Sequence, residues 1–317
     1  MIEYLHLGRV GYDEGLRLQA EIAGLVAEGR AQNVLLLLEH PPVLTLGRNA
    51  NRANILASDE MLKRRGVTVH EINRGGDVTY HGPGQLVGYP IFDLRTMHGP
   101  SGGRMGPVDF VRGMEEALIR LCGEFGVRAG RLCGLTGVWC GGGLTPEEHP
   151  SGAKAPVDSL PSMYGLKPVP FTERSLSSGS ESMAGKKRPG GRERKIGAIG
   201  IHVARGITSH GFAFNVTTEL KDFALIVPCG IPDHAVTSLA QEVQEPGELP
   251  TLEAIAQAAA RQFGQVFGEQ VVEVESLDAL RAEAAAASAQ FPAEDTPLQV
   301  PVEVERLHGK NEQPIRV

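Results

Sequence analysis

Residues 73–85, with the sequence NRGGDVTYHGPGQ, concentrate side chains and open backbone that could contact a small molecule. Four glycines let the backbone approach a ligand closely, because no Cβ stands in the way. Arg74, Thr79, Tyr80 and His81 add hydrogen-bond donors, and His81 also adds a titratable imidazole. A few polar groups on open backbone are typical of small-ligand pockets. A glycine-rich turn between two strands explains the same pattern equally well, so the residues alone leave both interpretations open.

Cys229 and Lys195 are the residues that could carry covalent chemistry. Cys229 stands in a rigid corner between Pro228 and Gly230 and is the only cysteine in a setting suited to exposure. The other cysteines are Cys122, Cys133 and Cys140. An ammonium close to a thiol favours the thiolate, which is the nucleophilic form. Lys195 opens an otherwise apolar strand, but it could be an ordinary strand-edge lysine and Cys229 a structural thiol. Spacing does not decide between these interpretations.

Hydrophobic periodicity around these residues predicts both strands and helices. The predicted strands are residues 34–39, 43–47, 67–72, 86–94, 137–140, 195–205, 208–216 and 270–274. The predicted helices are residues 13–29, 59–65, 107–125, 250–267 and 277–289. A tight turn at Arg205 and Gly206 should join two of the strands into a hairpin. Trp139 lies on the strand at 137–140, either beside a pocket or as a core aromatic.

Composition excludes several classes of protein. The chain has 317 residues and a formal net charge of −7, so binding of nucleic acid is not expected. No apolar run approaches the length of a transmembrane helix, and the N-terminus has no basic leader followed by an apolar segment. The four cysteines lack the short paired spacing of zinc or redox motifs. We therefore expect a cytoplasmic protein with reduced thiols, no membrane contact, no metal and no cofactor.

Residues 141–194 differ in character from the rest of the chain. Of these 54 residues, 24 are Gly, Pro or Ser, which predicts a disordered or loosely looped insertion. Its basic end, residues 186–194, is either a solvated loop or a docking site for an acidic carrier protein. We expect one catalytic domain over residues 1–275, interrupted by this insertion, and an accessory tail over residues 276–317.

Three ordered segments carry a family resemblance. They are RGGDVTYHGPGQ at residues 74–85, KIGAIGI at 195–201 followed by SHGFAFNV at 209–216, and PCGI at 228–231. Together they resemble the octanoyl-[acyl carrier protein]-protein N-octanoyltransferases, the acyltransferases of lipoate biosynthesis. The resemblance covers about residues 30–242 in broken form. It departs at Asp77, where the family pattern has Gln or Glu, and this departure puts one polar contact in doubt.

The resemblance implies both a fold and a reaction. The expected fold is α+β, a mixed β-sheet packed by helices, as in the biotin and lipoate protein ligases. The expected reaction moves an octanoyl group from octanoyl-acyl carrier protein to a lysine of lipoyl domains. These acceptors belong to the acyltransferase subunits of 2-oxoacid dehydrogenases and to the glycine cleavage H protein. We expect a monomer that acts without a cofactor.

The resemblance also assigns roles to residues of this chain. Cys229 would be the nucleophile that carries the acyl group as a thioester, and Lys195 would favour its thiolate and move protons. The acyl site would be lined by Arg74, Gly75, Gly76, Asp77, Val78, Thr79, Tyr80, His81, Ala198, Ile199, Gly200, Gly211, Phe212 and Ala213. His81 and His210 would flank its polar mouth.

Four other functions compete with this one, of which a papain-like cysteine hydrolase is disfavoured because the sequence around Cys229 lacks the local signature of that family. An amidotransferase that moves octanoyl or lipoyl groups between lipoyl domains would use the same cysteine chemistry. An ATP-dependent lipoate or biotin ligase would need an adenylate site, and a nucleophilic Cys229 argues against it. A non-catalytic module that binds acyl carriers would not need both Lys195 and Cys229.

Overall fold

The computed structural model describes residues 1–100, 102–142, 144, 193–244 and 249–290, with side chains described up to residue 287. The expected disorder and carrier docking within the insertion fall almost entirely outside the described residues. The tail is described only as far as its predicted helix.

The described residues form twelve strands and six α-helices. The strands are β1 (Ile2–Arg9), β2 (Asn33–Glu39), β3 (Val43–Leu46), β4 (Thr68–Glu71), β5 (Val78–His81), β6 (Gln85–Ile91), β7 (Ala129–Leu132), β8 (Leu135–Cys140), β9 (Arg194–Ala204), β10 (Ile207–Asn215), β11 (Ala235–Val236) and β12 (Val271–Glu273). The helices are α1 (Tyr12–Ala27), α2 (Asp59–Arg64), α3 (Pro107–Glu124), α4 (Leu239–Glu242), α5 (Leu252–Phe267) and α6 (Leu277–Gln290). The five predicted helices are confirmed, whereas the strands β1, β5, β7 and β11 and the short helix α4 were not predicted.

Most strands join one mixed sheet. Its order is β12-β1-β2-β6-β10-β9-β8-β7, with β11 paired to β9. β1 runs parallel to β12 and β2, and β11 runs parallel to β9, while the other pairs are antiparallel. A smaller sheet has the order β4-β3-β5. The α+β expectation with a mixed sheet is confirmed.

The large sheet is covered on both faces, and β2 shows how. Side chains alternate along a strand, so its apolar run supplies two cores at once. Leu35 and Leu37 pack in the core that α3 and α5 cover. Leu36 and Leu38 pack in the core that α1 covers, where α6 adds Leu280. The described helices include none with the length and apolar composition needed to cross a membrane.

The small sheet packs on a third core that includes Leu44, Val78, Tyr80 and Phe223. Its strand β5 is the part of the 73–85 stretch that becomes regular structure. Val78 and Tyr80 point into this core, so Thr79 and His81 must point to the opposite side. That side faces the β9–β10 hairpin, and the two surfaces enclose the candidate site.

Candidate active site

A cavity of about 190 Å³ lies at the junction of the two sheets. It brings together Cys229, Lys195 and eleven of the fourteen residues expected to form the acyl site. These eleven are Arg74, Gly76, Asp77, Thr79, His81, Ala198, Ile199, Gly200, Gly211, Phe212 and Ala213. His210, expected at the mouth, also lines the cavity. The three separate segments of the sequence resemblance therefore meet at one place.

Three expected residues do not line the cavity. Val78 and Tyr80 lie on the other face of β5, where the Tyr80 hydroxyl donates to Asp222 Oδ2 at 2.8 Å. Gly75 instead connects the 73–85 stretch to β9, because its N–H donates to the carbonyl oxygen of Ile201 at 3.0 Å. The expectation that every residue from 74 to 81 lines the site did not allow for the alternation of side chains between the two faces of β5.

Cys229 lies in a short 3₁₀ turn, Pro228–Gly230, and its backbone is left-handed with φ 56° and ψ 18°. Its thiol is partly exposed, whereas Cys122 and Cys140 are buried. Burial raises the pKa of Cys122 well above its ordinary value and that of Cys140 to about 12, which makes both poor nucleophiles. Cys133 is also exposed, so the expectation that Cys229 is the only cysteine in an exposed setting was wrong.

Lys195 is 8% exposed and stands in β9 beside the only tryptophan of the chain. Its Nζ lies 4.6 Å from the centre of the Trp139 ring, which is itself almost fully buried. Trp139 is thus both a core aromatic and a neighbour of the site. Space for the lysine comes from Gly137, where a Cβ would lie 3.6 Å from Lys195 Nζ and only 2.6 Å from the Gly197 oxygen. Larger residues at 137 would push the two strands apart.

Arg74 brings a second cation into the cavity wall. Its guanidinium donates to the Thr45 carbonyl oxygen at 2.8 Å and to the Gly75 carbonyl oxygen at 2.9 Å. Burial lowers the pKa of Arg74, and interaction with Cys229 acts in the opposite direction. Because a guanidinium keeps its proton at neutral pH, Arg74 is a fixed positive charge that acts on the thiol. The sequence had indicated Arg74 only as a hydrogen-bond donor in the wall of the pocket.

The cavity histidines are neutral at neutral pH. Burial lowers the pKa of His81 to about 3 and that of His210 to about 4. His81 Nδ1 lies 2.8 Å from Gln85 Oε1, and Gln85 Nε2 donates to the Asn215 and Tyr80 oxygens. The Gln85 oxygen must therefore accept, which assigns the proton of His81 to Nδ1 and leaves Nε2 as an acceptor.

Residues 11–264 match the model of the lipoyl protein ligase A/B catalytic domain. The chain belongs to this family. An octanoyltransferase of Acidobacterium capsulatum is 52% identical over 278 residues, which cover 87% of this chain and 94% of that protein. An octanoyltransferase of Koribacter versatilis is 42% identical over 309 residues, which cover 97% of each. The chain is therefore an acyltransferase of the octanoyltransferase type.

Solved structures confirm the fold of this family. A bipartite lipoate protein ligase of Thermoplasma acidophilum aligns with a TM-score of 0.56 at 15% identity, covering 90% of this chain and 91% of that one. A lipoate-protein ligase A bound with ATP aligns with a TM-score of 0.53 at 14% identity, covering 90% and 94%. At this identity the likeness concerns the fold alone, which is the catalytic fold expected from the sequence.

The cavity of this acyltransferase also contains residues that sequence reasoning missed. They are Tyr12, Val87, Tyr89, Thr136 and Ile231. Tyr12 and Thr136 come from α1 and β8, which reach the cavity only through the tertiary fold. Ile231 lies within the PCGI segment, and Val87 and Tyr89 follow the 74–85 segment along β6, so the sequence could have indicated these three.

The arrangement combines a thiol, two cations and apolar walls. Ile199, Phe212 and Val87 offer surface on which an alkyl chain can be desolvated. The cations can stabilise a thiolate or the oxyanion that forms when a thiolate attacks a carbonyl. This set suits acyl transfer between thioesters.

Proposed function

We propose that the chain transfers octanoyl from acyl carrier protein to a lysine of a lipoyl domain through a thioester on Cys229. One observation carries this proposal: the Cys229 thiol and the Lys195 ammonium line the same cavity as the apolar walls. The octanoyl transfer itself follows from the relatives at 42% and 52% identity. The donor, the intermediate and the acceptor are our inference.

In the first half-reaction, the Cys229 thiolate attacks the carbonyl carbon of the carrier thioester. The bond between that carbon and the carrier sulfur breaks, and the leaving thiolate takes a proton from the Lys195 ammonium. Arg74 and Lys195 favour the Cys229 thiolate before the attack. The products are free carrier thiol, octanoyl-Cys229 and neutral Lys195.

In the second half-reaction, the neutral amine of the acceptor lysine attacks the octanoyl-Cys229 carbon. An amide bond forms, the bond to Cys229 sulfur breaks, and Lys195 takes the surplus proton of the amine. The cycle returns Cys229 as thiolate and Lys195 as ammonium. The acyl group arrives activated, so no nucleotide is consumed.

The proposed donors and acceptors are protein substrates of the cytoplasm. Octanoyl-acyl carrier protein supplies the acyl group. The lipoyl domains of 2-oxoacid dehydrogenase acyltransferase subunits and the glycine cleavage H protein receive it. The four cysteines of the chain are free thiols, in keeping with a reducing compartment.

A transfer assay tests the function directly. Octanoyl-acyl carrier protein and an apo lipoyl domain are incubated with the enzyme in the absence of ATP, and the lipoyl domain is weighed by mass spectrometry. We expect one octanoyl group on the lipoyl domain. Transfer that requires ATP and free octanoate would favour a ligase, and a donor limited to octanoylated lipoyl domains would favour an amidotransferase.

A further inference from the structure

The backbone at Cys229 is in a conformation that must be held by its surroundings. Cys229 has φ 56° and Gly230 has φ 68°, so two consecutive residues are left-handed. For a residue with a Cβ this conformation is unfavourable, and it persists only where neighbouring contacts impose it. The orientation of the thiol in the cavity depends on those contacts.

The loop that carries Cys229 is attached to the segment around Asn54. The Val227 N–H donates to the Asn54 carbonyl oxygen at 2.7 Å. Ile226 forms an antiparallel bridge with Ile55. The Leu56 N–H donates to the Leu225 carbonyl oxygen at 2.8 Å. Any displacement of residues 54–56 is therefore transmitted to the turn at Cys229.

Asp77 holds the segment around Asn54 in place through hydrogen bonds to both of its carboxylate oxygens. Oδ1 accepts from the Val78 N–H at 2.7 Å and from the Asn51 N–H at 3.1 Å. Oδ2 accepts from Asn54 Nδ2 at 2.6 Å. The carboxylate thus ties the motif residues 77 and 78 to the segment that holds the cysteine loop.

Asp77 also touches the cysteine turn itself. A Cβ added to Gly230 would lie 2.4 Å from Asp77 Oδ2 and 3.3 Å from Asn54 Nδ2. The α-carbon of Gly230 therefore packs directly on the hydrogen-bonded pair. The Asp77–Asn54 pair therefore contacts the Cys229 turn at Gly230, in addition to the hydrogen bond that attaches the turn through Val227.

We propose that Asp77, through Asn54 and Gly230, is a positioning residue that sets the orientation of the Cys229 thiol. The proposal rests on the proposed role of Cys229 as nucleophile. A carboxylate near a thiol disfavours the thiolate, so Asp77 does not activate Cys229 by its charge. The three N–H groups that donate to Asp77 point to a geometric role, which is to hold the Cys229 turn in position.

Two substitutions separate geometry from charge. Asp77→Ala removes all three hydrogen bonds. Asp77→Asn removes the charge but can keep them, because its oxygen can accept both backbone N–H groups while the Asn54 amide reverses to accept from the new Nδ2. If Asp77 acts by position, Asp77→Asn should form the thioester at a rate much closer to that of the wild type than Asp77→Ala does.

The measurements are the rate of octanoyl-Cys229 formation from octanoyl-acyl carrier protein and the rate of alkylation by iodoacetamide. In Asp77→Ala we expect thioester formation to slow about tenfold or more. A loss of this size is typical when hydrogen bonds to a charged group are removed. The KM for the carrier should change little. Alkylation should not slow, because a small reagent needs no fixed orientation of the thiol and the lost carboxylate had disfavoured the thiolate.

A matched control and a milder variant complete the design. Asp93 also accepts from three N–H groups, those of Arg95, but lines no part of the cavity. Asp93→Ala should leave thioester formation unchanged. Asn54→Ala removes only the bond to Oδ2 and should give a smaller loss, even if Asp77→Ala folds poorly.

Thioester formation at the wild-type rate in both Asp77→Ala and Asn54→Ala would overturn the positioning role. Asp77→Asn as slow as Asp77→Ala would also overturn it, because the charge would then be what matters. Failure of the wild-type enzyme to form any thioester would instead refute the proposed function on which this role rests.

Discussion

The Nζ atom of Lys195 lies 4.6 Å from the centre of the Trp139 ring, and both side chains are buried. Within the described part of the chain, no carboxylate forms an ion pair with Lys195. A buried ammonium over an aromatic face is stabilised by the ring's negative potential. The ring of Trp139 therefore helps to hold the Lys195 ammonium in place beside the cavity.

Replacing Trp139 should weaken the reactivity of Cys229. A desolvated cation–π contact contributes about 2 kcal/mol to holding Lys195, so Trp139→Leu should slow alkylation of Cys229 at neutral pH by up to about tenfold, the loss expected when Lys195 itself is removed. Trp139→Phe keeps an aromatic face and should give an intermediate rate. Phe92→Leu, which truncates a buried aromatic outside the cavity, is the control for general loosening of the core. An unchanged rate in Trp139→Leu would show that the ring does not support Lys195.

The two roles of Lys195 can be separated by substitution. Lys195→Ala removes a cation near the thiol and should slow alkylation of Cys229 about tenfold. The loss should be partial, because the fixed charge of Arg74 also acts on Cys229. Lys195→Arg keeps a charge that cannot be given up, so it should still favour the thiolate.

In the second half-reaction, Lys195→Ala and Lys195→Arg should both transfer the octanoyl group to the acceptor lysine more slowly than the wild type. Neither can accept a proton from the incoming amine, so octanoyl-Cys229 should accumulate in Lys195→Arg when a lipoyl domain is present. Intact mass against time follows this accumulation. Rapid turnover by Lys195→Arg would show that another group moves the proton.

The length of the acyl chain should be set by a pair of small residues. Ala198 and Ala213 face each other across β9 and β10, and both line the cavity. Ala198→Leu should displace part of the alkyl chain and lower the affinity for octanoyl by roughly 2 kcal/mol, at about 0.8 kcal/mol for each methylene. Donors with butanoyl, hexanoyl and octanoyl chains measure the effect. We expect the preference to move to shorter chains.

Ala204→Leu is the matched control for this prediction, because Ala204 is exposed on the same strand and does not line the cavity. It should leave the preference for octanoyl intact. A preference for octanoyl that survives Ala198→Leu would place the alkyl chain elsewhere.

The stability of the protein should fall as the pH falls below 6.5. Burial lowers the pKa of His40 to about 4, and His81 and His210 are lowered similarly. Between pH 6.5 and 4 the unfolded state binds protons that the folded state does not, so the free energy of unfolding decreases on acidification. For His40 alone the loss between pH 7 and pH 5 should be about 2 kcal/mol.

His40→Gln tests this pH dependence. His40 is fully buried and hydrogen-bonds the Val10 carbonyl oxygen and the Tyr89 hydroxyl, each at 2.6 Å. The variant will be less stable overall, but its loss of stability between pH 7 and pH 5 should be smaller than that of the wild type. Chemical denaturation at both pH values measures the difference. An equal loss in both proteins would mean that His40 is not responsible.

Local patterns in the sequence were sufficient for most of the fold. The helix predicted at 107–125 is α3, Pro107–Glu124, with Pro107 in its first turn. The hairpin predicted around Arg205 and Gly206 is β9–β10, and both turn residues have positive φ. These elements could be predicted because their signals, helical spacing, alternation and turn chemistry, lie within a few residues of one another.

The parts that were missed depend on contacts between distant segments. Asn54 and Asp77 are 23 residues apart, and nothing in the local pattern of either residue indicates the bond between them. Lys195 meets Trp139 only because β8 pairs with β9. The exposure of Cys133 was missed because β7 and β8, whose hairpin turn contains it, were not both recognised. β7 is only four residues long and lacks an alternating apolar pattern.

The central claim is that Cys229 carries the acyl group. Incubation with octanoyl-acyl carrier protein, without an acceptor, should add one octanoyl mass to the enzyme, and hydroxylamine should remove it. Cys229→Ala should abolish the adduct, while Cys122→Ala, Cys140→Ala and the exposed control Cys133→Ala should retain it. An octanoyl adduct of undiminished yield in Cys229→Ala would contradict the account.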